Sequence, residues 1–294
     1  MDVAVAKYPI EAPADFRAFA EKQTRLLGDA KAQGAQLAVL PEYLALELAA
    51  GFGPAVRADL HASLAALQPL HAAWCELFGN LAQRLQLHVV AGSFLIEHGE
   101  GRYRNRSYWF TPEGRTGFQE KLQLTGFEKQ TGVIDGGDTL KVFALGGRRT
   151  AIAVCYDSEF PLPVRAQAEA GARLLVVPSC TDTAAGATRV RVGCLARALE
   201  NRCFVAQSVT TGGVEWSPAL DLNTGEAAIY APMDRGLPDD GVLAQTQGDQ
   251  VWALAHLDFD ALDASRLQAQ VANDRDWPGQ RAAAFARARV EPLD

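Results

Sequence analysis

A carboxylate, an amine and a thiol each follow a predicted strand in this chain: Glu42 after "LAVLP", Lys121 after "TGFQE" and Cys155 after "AIAV". Together they can supply a general base, a cation for a developing oxyanion, and a nucleophile. That is the set needed to cleave an acyl bond through a covalent intermediate. A thiol of ordinary pKa, about 8.5, is mostly protonated at neutral pH, so the sulfur needs a base or a cation beside it. No motif around His61, His71, His88, His98 or His256 places an imidazole there, which disfavours a Cys–His pair. A glutamate can serve if burial and hydrogen bonds raise its pKa toward neutrality. The backbone N–H of Tyr156 is a candidate second donor to the oxyanion. Singly, each residue has an ordinary alternative: a solvated strand end for Glu42, a surface hairpin for Lys121, the core for Cys155. Cys75, Cys180, Cys194 and Cys203 lie in predicted helices or strands with no partner implied, and read as core or near-core.

Such groups must be held at strand ends, because ligand sites in α/β folds lie beyond the carboxyl ends of strands. The pattern alternates accordingly. "VAVAKYP" reads as a strand, and residues 15–33 as a helix with Asp15 as N-cap and Gly34 at its stop. "AQLAVLPEY" is a buried strand ending at Pro41. Residues 60–86 are helical with a break at Pro69. Two hairpins follow, turning at Pro112–Gly114 and at Gly146–Gly147. Further helices are expected over 161–172 and 187–201, and a C-terminal helix and tail from Phe259 to about Arg287. Strands are expected at "RLLVVPSCT", "RCFVAQSVTT", "AAIYAP", "GVLAQTQ" and "QVWALAHLD". "GAQLAVLPE" and "GARLLVVPS" are nearly the same phrase, each after an amphipathic helix. This predicts a pseudo-symmetric sandwich whose two equivalent strand ends face one site. Thr181 and Asp182, after the second phrase, are then candidate pocket walls, as are Glu159 and Phe160 beside the cysteine. No linker composition interrupts the chain, so residues 1–294 are expected to form a single domain.

Composition narrows the function. The 294 residues are 48% hydrophobic and 21% charged, an ordinary globular balance, and the net charge of −7 argues against a nucleic-acid partner. No stretch approaches the roughly 18 apolar residues that span a bilayer. The N-terminus lacks a signal-peptide pattern, and the five cysteines form no C-x-x-C pair, so a cytoplasmic protein with reduced thiols and no zinc is expected. Arg197 and Glu200, three apart on a helix, are expected to pair, and Trp216 either lines a pocket or packs a loop.

The joint pattern resembles the nitrilase superfamily of carbon–nitrogen hydrolases. Its three signatures correspond here to "LAVLPEY", "GFQEKLQLTGFE" and "AVCYDSEFP", in that order, and the likeness extends over nearly the whole chain. The resemblance implies a four-layer α-β-β-α sandwich, with Glu42 as base, Lys121 as oxyanion stabiliser and Cys155 as nucleophile. It implies no cofactor or metal. Glu128 matches a second glutamate that orients the lysine in the family, though beside Lys129 it reads equally as a surface residue. Many relatives carry arginine two residues after the aspartate where this chain has Glu159. With "TDTAAGATRVR", the C-Y-D-x-E-F-P motif fits a subgroup of predicted amidohydrolases. "CYD" points to an amide or carbamoyl substrate rather than a nitrile. A small-molecule amide is therefore the expected partner. The alternatives are a nitrile- or carbamoyl-specific member, a catalytically silent binding protein on the same fold, and a glutaminase half of a synthetase, for which this chain is too short. The family's habit of pairing through helices implies a homodimer or higher oligomer. The apolar stripe Val190, Cys194, Leu195, Ala198, Leu199 and the C-terminal Trp277 and Phe285 are candidates for that contact.

Overall fold

A computed structural model describes residues 1–281, so Phe285 and the tail to Arg287 lie outside the described residues. In chain order the strands are β1 (Asp2–Pro9), β2 (Leu37–Leu40), β3 (His88–Gly99), β4 (Arg102–Phe110), β5 (Thr116–Glu120), β6 (Ile134–Asp135) and β7 (Val142–Leu145). They continue as β8 (Arg148–Ile152), β9 (Ala172–Pro178), β10 (Phe204–Thr211), β11 (Ala228–Tyr230), β12 (Val242–Gln245) and β13 (Trp252–His256). The helices are α1 (Phe16–Ala32), α2 (Pro54–Arg57), α3 (Leu60–Leu67), α4 (His71–Leu85), α5 (Gly126–Thr131), α6 (Pro161–Glu169), α7 (Ala184–Asn201), α8 (Phe259–Ala264) and α9 (Asn273–Asp276).

The strand order is β5-β4-β3-β2-β1-β10-β9-β8-β7, and its two halves join where β1 pairs in parallel with β10. Strand alternation then sorts the side chains. Val3 and Val5 of β1 and Leu37 and Val39 of β2 point into an inter-sheet core shared with Ile152, Leu174 and Val205. Ala4, Ala6, Tyr8, Ala38 and Leu40 point the other way, onto Phe19 and Leu26 of α1 and Trp74 and Phe78 of α4. The second half carries α6 and α7 outside, through Val164, Val190, Cys194 and Ala198. The result is the four-layer α-β-β-α sandwich. Within the helical stripe on α7, Val190, Cys194 and Ala198 are thus spent on the sheet.

Local signals act as their chemistry requires. The Asp15 carboxylate accepts from Ala18 N (2.8 Å) at the start of α1, and a short 3₁₀ turn at Gln68–Leu70 separates α3 from α4 around Pro69. Thr183 caps α7, which begins three residues earlier than the periodicity suggests. In the C-terminal segment, α8 ends at Ala264, a 3₁₀ turn at Ser265–Leu267 follows it, and the one-turn α9 and a further 3₁₀ turn complete the described residues. Tertiary contacts dictate its path. Gln270 N donates to Asp234 Oδ1 (3.0 Å), Arg165 Nη2 donates to Asp274 O (3.1 Å), and the Arg165 guanidinium lies 5.2 Å from the Trp277 ring centroid. Among the described residues, no helix is long and apolar enough to cross a membrane.

Candidate active site

Glu42, Lys121 and Cys155 line one cavity of about 260 Å³. Pro41 stops β2, and the next two residues turn sharply, with Tyr43 in the left-handed region (φ 61°). Gly92 of β3 makes room for that turn: a Cβ there would stand 2.0 Å from the Pro41 carbonyl oxygen. Lys121 leaves the end of β5, its backbone N–H bonded to Asn105 O (2.9 Å). Cys155 opens a 3₁₀ turn, Cys155–Glu159, three residues beyond the end of β8. Its φ of +47° is strained for a non-glycine residue.

Lys121 Nζ sits 2.8 Å from both Glu42 Oε1 and Glu128 Oε2, and none of the three side chains is more than 1% exposed. Asn105 Nδ2 spans the same pair of carboxylates, donating to Glu42 Oε1 (2.7 Å) and Glu128 Oε1 (3.2 Å), and the Tyr43 hydroxyl donates to Glu128 Oε1 (2.8 Å). Glu128 is thus an interior residue. As N3 of α5 it also closes a capping box with Thr125. Two carboxylates share one ammonium, and their environments drive them apart. Burial raises the Glu42 pKa, and Lys121 offsets this only in part while the Glu128 charge adds to it. Burial also acts to raise Glu128, but Lys121, the Thr125 backbone and the Tyr43 hydroxyl outweigh it, and its pKa falls. Burial alone would lower Lys121, yet the carboxylates hold it well above its usual value, so it stays charged. The Cys155 thiol is pushed well up, first by burial and then by Glu42, with Lys121 and the Cys180 carbonyl pulling the other way. A protonated thiol therefore lies beside a carboxylate of raised basicity.

The turn that carries Cys155 is tied down on several sides. The Asp157 carboxylate accepts from Gln123 N (2.7 Å), Leu122 N (3.1 Å) and Val154 N (3.3 Å), which fixes the cysteine turn to the segment after Lys121. Burial pushes Asp157 up to about 6 despite these bonds. Ser158 Oγ donates to Cys155 O (2.7 Å), and Arg197, paired with Glu200 at 3.0 Å, donates to Ser158 O (3.0 Å). Gly193 lets α7 approach: a Cβ would stand 3.0 Å from Ser158 O. Tyr156 N–H belongs to the first turn of this 3₁₀ helix, where backbone donors have no partner within the helix.

Of the expected pocket walls, Glu159, Thr181 and Asp182 line the cavity. Phe160 does not: its ring stands edge-on to Tyr156, centroids 4.9 Å apart, behind the wall. Trp216 packs against the helix-side core instead of lining the cavity. Cys180 packs against the helix-side core, as expected, and has a second place as well. It also forms part of the cavity wall; its N–H donates to Glu42 Oε2 (3.2 Å) and its carbonyl accepts from Cys155 Sγ (3.6 Å). The ends of the two near-identical phrases do meet, then, through a backbone amide. Sequence reasoning passed over Tyr43, Asn105 and Asp157 at this site, and read Arg189, which lines the cavity, as a helix residue suited to an ion pair. Only the repeated phrase carried a signal, and it pointed to Cys180.

A four-layer α/β sandwich with a thiol, an ammonium and a carboxylate lining one cavity, and a second carboxylate buried against the ammonium, suits a class of enzyme with which comparison to known proteins agrees. Residues 2–241 match the carbon-nitrogen hydrolase family, and the chain belongs to it: hydrolases of C–N bonds other than peptide bonds. A probable hydrolase YhcX of Bacillus subtilis is 31% identical over 204 residues, 69% of this chain and 40% of that protein, so the match spans well under half of that relative's length. An (R)-stereoselective amidase of Pseudomonas sp. is 28% identical over 208 residues, 71% of each chain. Among solved structures, Saccharomyces cerevisiae Nit3, a member of branch 10 of the nitrilase superfamily, superposes with a TM-score of 0.72 at 17% identity over 94% of this chain and 96% of that one. An amidase from Nesterenkonia sp. does so at 0.68 and 23%, over 94% and 96%.

Proposed function

We propose that this chain hydrolyses a small amide through a thioester on Cys155. Glu42 takes the thiol proton as Sγ bonds to the carbonyl carbon, and the charge that forms on oxygen meets Lys121 Nζ and the Tyr156 N–H. The intermediate collapses by breaking the C–N bond, and Glu42 returns its proton to the departing ammonia or amine. Glu42 then takes a proton from water as the hydroxyl oxygen attacks the thioester carbon. The acid leaves and the thiol is restored. Glu128 and Asn105 orient Lys121 and the base. The observation that carries this reading is the lysine bridging a high-pKa and a low-pKa carboxylate in the cavity that also holds the cysteine. An amide is favoured over a nitrile by "CYD" and the C-Y-D-x-E-F-P motif, which we assign to the amidohydrolase subgroup. Relatives named amidase, omega-amidase and 2-oxoglutaramate amidase support this; another is named aliphatic nitrilase. An intact charged set argues against a silent binding protein.

The test is intact-mass spectrometry after mixing the protein with a panel of short amides and their nitrile counterparts. An acyl adduct on Cys155 from amides, with ammonia released, is expected. Adducts from nitriles alone would move the assignment to nitrilase chemistry, and adducts on another residue would overturn the mechanism.

We also infer one domain, working in the cytoplasm as at least a homodimer. Five free cysteines fit a reducing compartment. Leu162 on α6 and Val192 on α7, neighbouring helices, expose apolar side chains that a second copy would cover. Light scattering at dilute concentration is expected to report at least twice the 31.6 kDa chain mass. A stable, active monomer would refute the pairing.

A further inference from the structure

Beyond the catalytic groups, the cavity wall carries an uneven charge. Among the described residues, Glu159, Asp182 and Asp221 line it against a single guanidinium, that of Arg189. Glu159 closes the same 3₁₀ turn that Cys155 opens, so its distance from the nucleophile is fixed by four residues of tight backbone. Its side chain is only 21% exposed, yet its nearest cation, Arg189 Nε, stands 3.9 Å away, beyond hydrogen-bond length, on a side chain 62% exposed. Burial holds its pKa up, with Arg189 compensating in part, as expected of a carboxylate partly withdrawn from water with a cation near it but not in hydrogen-bond contact. Lys121 offers no relief, because its charge is committed to Glu42 and Glu128 at 2.8 Å each. Phe127 and Leu222, both exposed, add apolar surface to the same wall.

From this we infer that the substrate is a short aliphatic amide bearing an ammonium group, and that Glu159 is the residue that selects it. The inference rests on the amide-hydrolase reading and names its substrate class. An incoming ammonium gives Glu159 the close donor it lacks, while the methylenes lie on Phe127 and Leu222. A carboxylate at the same position meets three like charges in a cleft whose low-dielectric walls focus the field. Arg189 is the counterweight: it softens the negative wall and competes with the substrate for Glu159.

The selectivity can be read at Cys155 without turnover. The protein is alkylated with 2-bromoethylamine, iodoacetamide and iodoacetate, each rate taken at Cys155 by peptide mass and divided by the rate with 2-mercaptoethanol. The cationic reagent is expected to lead the anionic one by about tenfold or more, within the range such focusing produces. Glu159→Gln should shrink that ratio several-fold, and Arg189→Gln should enlarge it. Equal rates, an anionic preference, or a ratio unmoved by Glu159→Gln overturns the assignment. A second arm measures ammonia release from chain-matched amides ending in an ammonium, a hydroxyl or a carboxylate, expected in that order of kcat/KM. Cationic preference in alkylation with no amide hydrolysed overturns the hydrolase reading and the substrate class with it. Hydrolysis without charge preference overturns the substrate class alone.

Discussion

Cys155→Ala is expected to abolish hydrolysis of every amide the wild type accepts, by a factor on the order of 10⁴–10⁶, the scale seen when a covalent nucleophile is deleted. The sulfur is the bond-forming atom in the proposed reaction, and the other thiol that lines the cavity, Cys180, is turned to Asn223 Oδ1 (3.3 Å). The fold should survive. One buried atom is removed, a loss of about 1 kcal/mol on the scale of a deleted methylene, and alanine bears the left-handed φ of +47° no worse than cysteine does. Thermal unfolding within a few degrees of wild type, together with ammonia release at background, is the expected pair of readings. Cys194→Ala and Cys203→Ala should keep activity, since both thiols are buried in the sheet–helix core. Cys180→Ala should keep it as well, because Cys180 serves Glu42 through its backbone N–H and that amide is unchanged. Wild-type turnover by Cys155→Ala would end the mechanism.

Glu42→Gln should cost 10²–10⁴ in rate, the usual worth of a positioned general base. The amide fills the carboxylate's space, and the charge balance favours tolerance. Two carboxylates now share Lys121, so neutralising one leaves a one-to-one pair with Glu128 rather than an orphaned ammonium. The pH profile gives a second reading. A pKa raised above the usual 4.5 means that Glu42 holds its proton at pH values where an ordinary glutamate has lost it. Wild-type kcat/KM should therefore fall on acidification with an inflection above 4.5. Asp157, pushed up to about 6, titrates in the same interval. Assignment to Glu42 requires that the residual rate of Glu42→Gln lack this acid limb. A variant that keeps both the limb and more than a tenth of the rate would remove Glu42 from the role of base.

What the sequence made legible follows from what each residue does locally. The hairpins at Pro112–Gly114 and Gly146–Gly147, the cap at Asp15 and the break at Pro69 are decided within a few residues, and each is found where the residue types put it. Glu42, Lys121 and Cys155 stood out because a carboxylate, an amine and a thiol at strand ends carry their chemistry in their type. Their neighbours did not. Asn105 lies in "RYRNRSYWF", where arginines flank it and alternation cannot say which parity faces inward. The pairing of β4 with β5 decides, sending Arg104 and Arg106 to Glu120 and Asn105 to the two catalytic-site carboxylates. Asp157 acts on backbone amides more than thirty residues away, a relation no spacing rule encodes. Cys180 enters through a main-chain N–H, which is the same for every residue type but proline. In the C-terminal segment the helix stops at Ala264 and the path beyond it is set by Asp234 and Arg165 from outside and by Arg266 on Asp274 within.

The place of β1 in the sheet bears on how the chain can fold at all. This strand is the first to be made, yet it pairs with β2 and with β10 in parallel and with β13 antiparallel, where Asp2 faces His256. The seam between the two halves thus waits for residues about two hundred positions downstream, and its final register waits for the last strand. Glu42, Lys121 and Cys155 all precede that seam in the chain. Pairings so distant in sequence must meet their loop-closure entropy before they gain any contact energy, which makes the fold slow and dependent on late-arriving segments. During synthesis the amino-terminal half, with its apolar inner face of Val3, Val5, Leu37 and Val39, stays uncovered until β9 and β10 arrive. The pocket is then the product of closure, not its nucleus, and a chain stalled before β10 would carry all three reactive residues with no enclosed site to hold them.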